Sequence, residues 1–482
     1  MILVFDIGTS AVKGALFSPE GALLKQQQRP VTEHTGNPGH PMVHEIAPEK
    51  WLESIVSLAA ELVPAGSRQV EAVAVSGNGP TLVAVDEAGN PLMPAMTWLD
   101  RRSGKESDQI FEKTGIRIDP SFYLPKALWI ARNRPEIYGR CAAFLSCSEF
   151  VVQALCGERV MVFPGEGLEK YIWTDGLIDA AGLDRNKFPP FVELGSAVGT
   201  VTPQAASAYA LPAGIPVYAG GPDFVVSLLG TATIYPGRAC DRAGTSEGIN
   251  ICTDHSIPDS RLMCYRHVNR AYWNVTGIIS TSGKAFDWFR TNIYRDRINY
   301  RELEERAATV PAGARKLLFL PYLSGERAPL WDPDARGIFL GLSLSHTIDD
   351  MARAVLESTG FAIRNVLRVM RDNNVLVDEM RITGSPARSD LWNRIKADIT
   401  GKRILVPEIS DSELVGDAIL ALVGEGRFAS LEEASEQMVR IVKEFSPGDN
   451  ASMYDELFGI YLESYEQLKS QFRTLALVRD GR

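Results

Sequence analysis

Long apolar runs are missing from this chain. No stretch approaches the roughly 18 apolar residues that a membrane-crossing helix needs, so no membrane partner is expected. Basic charge is not in excess either. Fifty Lys and Arg stand against 60 Asp and Glu, a net charge of −10. That balance argues against the broad basic face of a nucleic-acid binder, while leaving room for a local pocket for a small anion. Cysteine is sparse: the six residues Cys141, Cys147, Cys156, Cys240, Cys252 and Cys264 include no C-x-x-C pair. In a chain of this size they read as buried free thiols in a reducing compartment. The six histidines show no metal-ligand spacing. His40 and His44 are four apart, but Pro41 between them argues against a shared helix face and a zinc site. The opening "MILVFDIG" meets an acid at Asp6 with no basic segment before it, so a secretory leader is not expected and a cytoplasmic location is.

What is present suggests two large domains, since 482 residues are too many for one core. "ILVFDIGTSAVKGALFSPEGALLKQQQ" predicts a meander: strand Ile2–Phe5, turn Gly8-Thr9-Ser10, strand Val12–Phe17, turn, strand Ala22–Gln27. Apolar residues at helical spacing run from Trp51 through Ile55 and Leu58 to Leu62. "VEAVAVSGNG" predicts a short buried strand, and "TLVAVDEAGNPLMPAMTW" a hairpin with a further strand. Helical patterns dominate residues 104–156. "GRACDRAGTSEGINICTD" repeats the strand, Gly-Thr-Ser turn, strand pattern at Gly244-Thr245-Ser246, which makes two related α/β domains plausible. Their boundary is expected near Pro222–Gly237. Later segments predict a long amphipathic helix beginning around Met351, a strand–turn–helix over "RITGSPARSDLWNRIKADITG", a helix in "SELVGDAILALVGEG" and a last helix from about residue 450.

Several of these pieces could carry chemistry. No G-x-x-x-x-G-K-[ST] loop and no G-x-G-x-x-G after a strand occurs, so a nucleotide site would be neither of the P-loop nor of the Rossmann kind. "FDIGTS" ends a strand in a carboxylate, then offers backbone N–H groups and two hydroxyls, a combination suited to phosphate and to Mg²⁺ held through water. An ordinary hairpin turn with a surface Asp is the simpler reading of that motif alone. In "ITGSPARSDLW" Ser385 or Ser389 could cap a helix, or the turn could hold an adenosine. In "WLDRR" Trp98 could cover a sugar while Asp100 and Arg102 bind hydroxyls, or the three could be a core Trp beside a surface ion pair. Asn78, at a strand end, is a second polar candidate. Asp223, alone among apolar residues in "VYAGGPDFVVSLLG", could cap a helix, act as a proton acceptor beside an attacking hydroxyl, or both.

Together these motifs resemble the FGGY carbohydrate kinase family, within the actin-like ATPase superfamily, over about residues 2–424. "FDIGTSAVKG" and "AGTSEGI" resemble its phosphate motifs and "AGGPDFVVSLLG" its catalytic segment. "PYLSGERAPLWDPDARGIFLGLSLSHTIDDMARAVLES" is similar to its C-terminal signature, "TGSPARSDLWNRIKADITG" to its adenosine motif and "YLPKALW" to a shorter N-terminal signature. The resemblance implies two ribonuclease-H-like α/β domains with a catalytic cleft between them: residues 1–225 on the sugar side and 226–450 on the nucleotide side, then a C-terminal helix, 451–482. It implies ATP- and Mg²⁺-dependent phosphorylation of a sugar or polyol hydroxyl, and a homodimer as a family-level expectation. Asp223 matches the catalytic base, and Asp6 with Asp223 the metal-linked acids. Gly8, Thr9, Ser10, Lys13, Gly244, Thr245, Ser246, Gly283, Gly384, Ser385 and Ser389 match ATP positions. Asn78, Trp98, Asp100, Arg102, Asp223 and Phe224 fall on the sugar side. The chain departs from the family at Gly79 and Pro80, where xylulose-type members carry Met-His and glycerol-type members Arg-Glu. It also has Phe224 where many members have a polar residue, and one glycine, Gly384, where two or three are usual. A xylulose-like ketose is the first expectation for the acceptor. Another sugar, polyol or sugar acid (ribulose, gluconate, glycerol-like), or a non-catalytic sugar sensor on the same fold, stay open.

Overall fold

The computed structural model describes residues 1–31, 34–35, 42–63 and 69–478, with the side chains of His34 and Thr35 excepted. His40, half of the weighed histidine pair, lies outside them. The chain packs as two compact units, residues 1–232 with 412–438, and residues 233–411 with 439–482.

In the first unit a six-stranded sheet runs in the order 197–200, 216–222, 72–77, 2–7, 11–17, 23–30. The predicted meander is there, as Ile2–Ile7, Ala11–Phe17 and Leu23–Pro30, and its strands are antiparallel. Beside it Ala72–Gly77 and Pro216–Pro222 run parallel to Ile2–Ile7. Ile2–Ile7 and Ala72–Gly77 are buried at every position, as a strand covered on both faces must be. The helix Glu49–Leu62 supplies Trp51, Ile55, Leu58 and Leu62 to the core that Leu3, Phe5, Val73 and Val75 share. The expected hairpin beyond residue 81 is reduced to the short strands Val83–Val85 and Ala95–Met96.

In the second unit a seven-stranded sheet has the order 263–266, 273–279, 247–253, 238–243, 379–383, 403–407, 441–445. Strands 273–279, 247–253 and 238–243 form an antiparallel meander, and 379–383 and 403–407 continue it in parallel. The first unit has the same arrangement, so the repeat suggested by two Gly-Thr-Ser turns is a repeat of topology. The helix Ile348–Asp372 and the final helix Ala451–Leu477 meet in an aromatic core with Phe361, Tyr454, Phe458 and Tyr461.

The packing differs from the expected division at residues 225 and 450. Residues 226–232 complete the helix Asp223–Gly230, and Ser412–Gly424 returns to pack on it within the first unit. Glycines permit that crossing. A Cβ on Gly230 would overlap the carbonyl oxygen of Ser412, and one on Gly416 that of Val226. The final helix is part of the second unit's core rather than a separate piece. Gly416→Ala should therefore force the two helices apart, lowering stability by about 1–3 kcal/mol as overpacking does. A fall of several degrees in unfolding temperature, read by calorimetry, is the expected result.

Candidate active site

In the first unit, strand register assembles the site. Asp6 lies opposite Ser76 in the parallel pairing and opposite Lys13 in the antiparallel one. Gly221 also lies opposite Ser76, after a register shift that leaves Gly220 as an extra residue. Three parallel strands thus end along one edge, with Asp6, Asn78 and Asp223 at or just past their C-terminal ends. Ligands of open α/β sheets bind beyond such ends. Adjacent strands are about 4.8 Å apart, so the Asp6 and Asp223 strands, with one strand between, are separated by roughly 10 Å.

Asp223 is the first residue of its helix; Pro222 holds the cap position and makes no side-chain cap bond. The capping reading of Asp223 is corrected accordingly. Position N1 still places its carboxylate at the positive end of the helix dipole. Asp6 is 2% exposed, and Lys13 Nζ lies 3.6 Å from it and 3.9 Å from Glu413. Gly8 is glycine for a local reason: a Cβ there would come within 2.7 Å of Ala11 O. Thr9 accepts a hydrogen bond from Trp98 Nε1 at 2.9 Å, which joins the first turn to the Trp98 loop, and Ser10 is exposed.

The sugar-side candidates divide. Asn78 donates to Ile7 O at 2.7 Å and accepts from Thr81 at 2.5 Å, so it ties strand ends together while lining a small cavity. Asp100 is wholly buried and accepts from the amides of His44 and Arg102 and from the Arg102 guanidinium. Arg102 also reaches Glu45 at 2.7 Å and lies over the Trp129 ring. These two residues are engaged in fixing the loop that carries Trp98, and Asp100 is not part of a surface ion pair. Phe224 packs its ring against Tyr171, with centroids 5.5 Å apart.

In the second unit, Gly283 N donates to Gly244 O at 3.0 Å and Lys284 N to Thr245 O at 3.1 Å, so the second Gly-Thr-Ser turn and the 283 helix start form one surface. A Cβ on Gly283 would overlap Gly244 O, and one on Gly384, at φ 85°, would overlap Ala243 O. The single glycine of the adenosine-type turn is therefore obligatory. Ser389 is the helix cap, accepting from Trp392 N at 3.1 Å, while Ser385 is exposed.

Three features escaped the sequence reading. Ser76 donates to Asp417 at 2.6 Å, both fully buried. Burial first, then the charges of Asp6 and Glu413, hold Asp417 well above the usual carboxylate range. In the second unit Lys396 lies 2.7 Å from Asp241 and also bonds Glu247, all three fully buried. Burial opposes its charge, but the two carboxylates outweigh that and raise it above its ordinary value. Asp241 and Glu247 close the strands on either side of the 244–246 turn. Tyr171 and Glu149 line the cavity beside Asn78, and burial pushes Glu149 up. Only Asp417 left a trace in the sequence: with Glu413 it is one of two acids in an otherwise apolar helix.

Models of the FGGY family of carbohydrate kinases match residues 1–230, as its N-terminal domain, and 242–425, as its C-terminal domain. The xylulose kinase of Staphylococcus epidermidis is 29% identical over 97% of each chain, and the gluconokinase of Bacillus subtilis is 27% identical over 100% of this chain and 98% of its own. Among solved structures, the xylulose kinase of Rhodospirillum rubrum superposes with a TM-score of 0.84 at 27% identity, covering 98% of this chain and 99% of its own. The fold is that of an actin-like ATPase-type sugar kinase. This chain belongs to the FGGY family of carbohydrate kinases, enzymes that phosphorylate a small sugar with ATP as donor. Among the described residues no helix is long and apolar enough to cross a membrane.

A carboxyl group with a raised value in the folded state binds its proton more tightly there than in the unfolded chain. Its effect is to lower stability as pH rises from the unfolded value, near 4, through the folded one. Asp417→Asn removes that titration. The variant should gain stability relative to the parent as pH rises from about 4 to 7, measured by thermal unfolding at each pH.

Proposed function

We propose that the acceptor is a neutral ketose or polyol, a xylulose-like sugar first, and that Asp223 takes the proton from its attacking hydroxyl. The observation that carries this is the shared edge of three parallel strands, which brings Asp223 and Asp6 to one face of the first unit. In that reading Asp223, at the first position of its helix, accepts the proton as the hydroxyl attacks. Asp6 supplies the hard oxygen donor that Mg²⁺ prefers, and Mg²⁺ typically takes one or two carboxylates together with phosphate oxygens. The ion would neutralise charge on the transferred group. The backbone amides of Gly8–Ser10 and Gly244–Ser246 suit phosphate oxygens, and the Gly283 and Gly384 turns suit the rest of the nucleotide.

Charge supports a neutral acceptor. The cavity beside Asn78 is lined by Gly77, Tyr123, Glu149, Tyr171 and Pro222, and among the described residues no Lys, Arg or His lines it. Lys126 is fully buried, donates hydrogen bonds to the carbonyls of Pro80, Met96 and Thr97, and is lowered by burial to about 7. Arg102 is held by Asp100 and Glu45. A sugar-acid carboxylate there would face Glu149, with no cation among the described lining residues to receive it.

ADP release with ATP and Mg²⁺ should be stimulated by D-xylulose, D-ribulose or a polyol at least about 10-fold more efficiently than by D-gluconate, the reverse order overturning the neutral-acceptor reading. Asp223→Asn should lower kcat by at least ~100-fold while the KM for ATP stays within about 3-fold. Near-normal turnover in that variant would exclude Asp223 as the base.

A further inference from the structure

Tyr171 is buried, 7% exposed, and among the described residues its hydroxyl has no close hydrogen-bond partner, the Tyr123 hydroxyl being the polar group that interacts with it. It lines the cavity with Asn78, Tyr123 and Glu149. The ring cannot swing away. Phe122, Tyr123 and Phe224 meet it edge-on, with centroids 5.3, 5.6 and 5.5 Å distant. Burial raises the phenol well above its ordinary value, and the leading charge that adds to this is the carboxylate of Asp223. Tyr171 is thus a neutral hydroxyl fixed beside the candidate base.

Gly79 is the other half of the arrangement. A Cβ on Gly79 would overlap Tyr171 Oη outright and come within 3.2 Å of Tyr123 Oη. Any side chain at 79 would take the space in which the Tyr171 hydroxyl stands. Were Tyr171 only a space-filling ring, phenylalanine would serve better, since a desolvated hydroxyl without a partner is a cost that phenylalanine avoids. The immediate ring neighbours Phe122 and Phe224 are themselves phenylalanines.

We infer that Tyr171 is a specificity-determining residue of the acceptor site: its hydroxyl, standing in the space that Gly79 leaves, bonds an acceptor hydroxyl neighbouring the one that Asp223 serves. This rests on the kinase reading above and adds the group that replaces a side chain at position 79. A phenol both donates and accepts, so it matches a sugar hydroxyl in either sense. A site built to bond a hydroxyl discriminates against acceptors that lack it, because its own buried group is then left without a partner.

The test uses the full chain, with D-xylulose as first acceptor and D-ribulose, glycerol and D-gluconate beside it. Tyr171→Phe should raise the KM for the preferred acceptor about 10-fold, with kcat and the KM for ATP within about 3-fold and no loss of unfolding temperature. Gly79→Ala should raise the same KM and lower the unfolding temperature. Adding Tyr171→Phe to Gly79→Ala should restore much of that stability, because the overlapping atom is gone, but not the KM. An acceptor KM in Tyr171→Phe within about 2-fold of the parent, on a sugar that the parent phosphorylates, overturns the inference and leaves the kinase reading intact. If the parent phosphorylates none of the panel, the acceptor reading fails instead. Thermal-shift titrations with the same sugars then decide: equal shifts, or none, in parent and Tyr171→Phe overturn the role of Tyr171, and a shift lost only in the variant supports it.

Discussion

A buried hydrogen bond from Ser76 to Asp417 holds the first unit's site in register. Ser76 sits on the central strand, opposite Asp6 on one side and Gly221 on the other. Asp417 comes from the helix Ser412–Gly424, reached only after the chain has built most of the second unit. Its side chain occupies the space that Gly220 leaves at the register shift, where a Cβ would overlap Asp417 and approach Val75 O. A bulge at that point bends the strand and re-aims the turn into Asp223. The pair therefore links the helix, the bulge and the two acids at the strand ends. Burial, then the charges of Asp6 and Glu413, raise Asp417 well above the usual carboxylate range, which favours its neutral form beside those two acids.

The second unit solves the matching problem with charge. Its Gly-Thr-Ser turn connects strands that end in Asp241–Ala243 and begin at Glu247, and Lys396 draws Asp241 and Glu247 together beneath it. A buried lysine between two carboxylates is costly to desolvate and costly to break, so the geometry it holds is narrowly defined. The two units share a sheet order and a turn tripeptide, yet the first holds its strand register with the Ser76–Asp417 hydrogen bond and the second braces its turn with an ion cluster. The topology repeats; the supporting side chains do not.

The acceptor side is built mostly from groups that are already engaged. Asp100, Arg102 and Lys126 are fixed to each other or to backbone carbonyls, and Asn78 closes strand ends. Tyr123, Tyr171 and Glu149 line the cavity with Asn78, and Pro222, the neighbour of Asp223, completes its wall, a setting that suits a neutral, hydroxyl-bearing molecule. Gly79 and Phe224, which looked like losses when set beside the family's usual residues, are the positions that make room for and pack against Tyr171.

Local pattern was enough to read the meander, both Gly-Thr-Ser turns, the long helices and the family, because hydrophobic periodicity and turn chemistry act over a few residues. It also singled out Asp6 and Asp223, since a lone acid among apolar residues is conspicuous. It left Asp223 open between cap and proton acceptor, because one residue decides between the cap and N1 positions, and Pro222 takes the cap. It could not show that the Ser412–Gly424 helix packs on the first unit, for nothing local records which sheet such a segment will cover. Asp417 with Ser76, Lys396 with Asp241 and Glu247, and Tyr171 with Gly79 were illegible for the same reason. Their partners lie about 90 to 340 residues apart in the chain. The sequence by itself determined the elements, the motifs and the reaction class. Only the tertiary structure decided which side chains are consumed by buried partners and which remain to meet a substrate, because burial and pairing are properties of the packed chain.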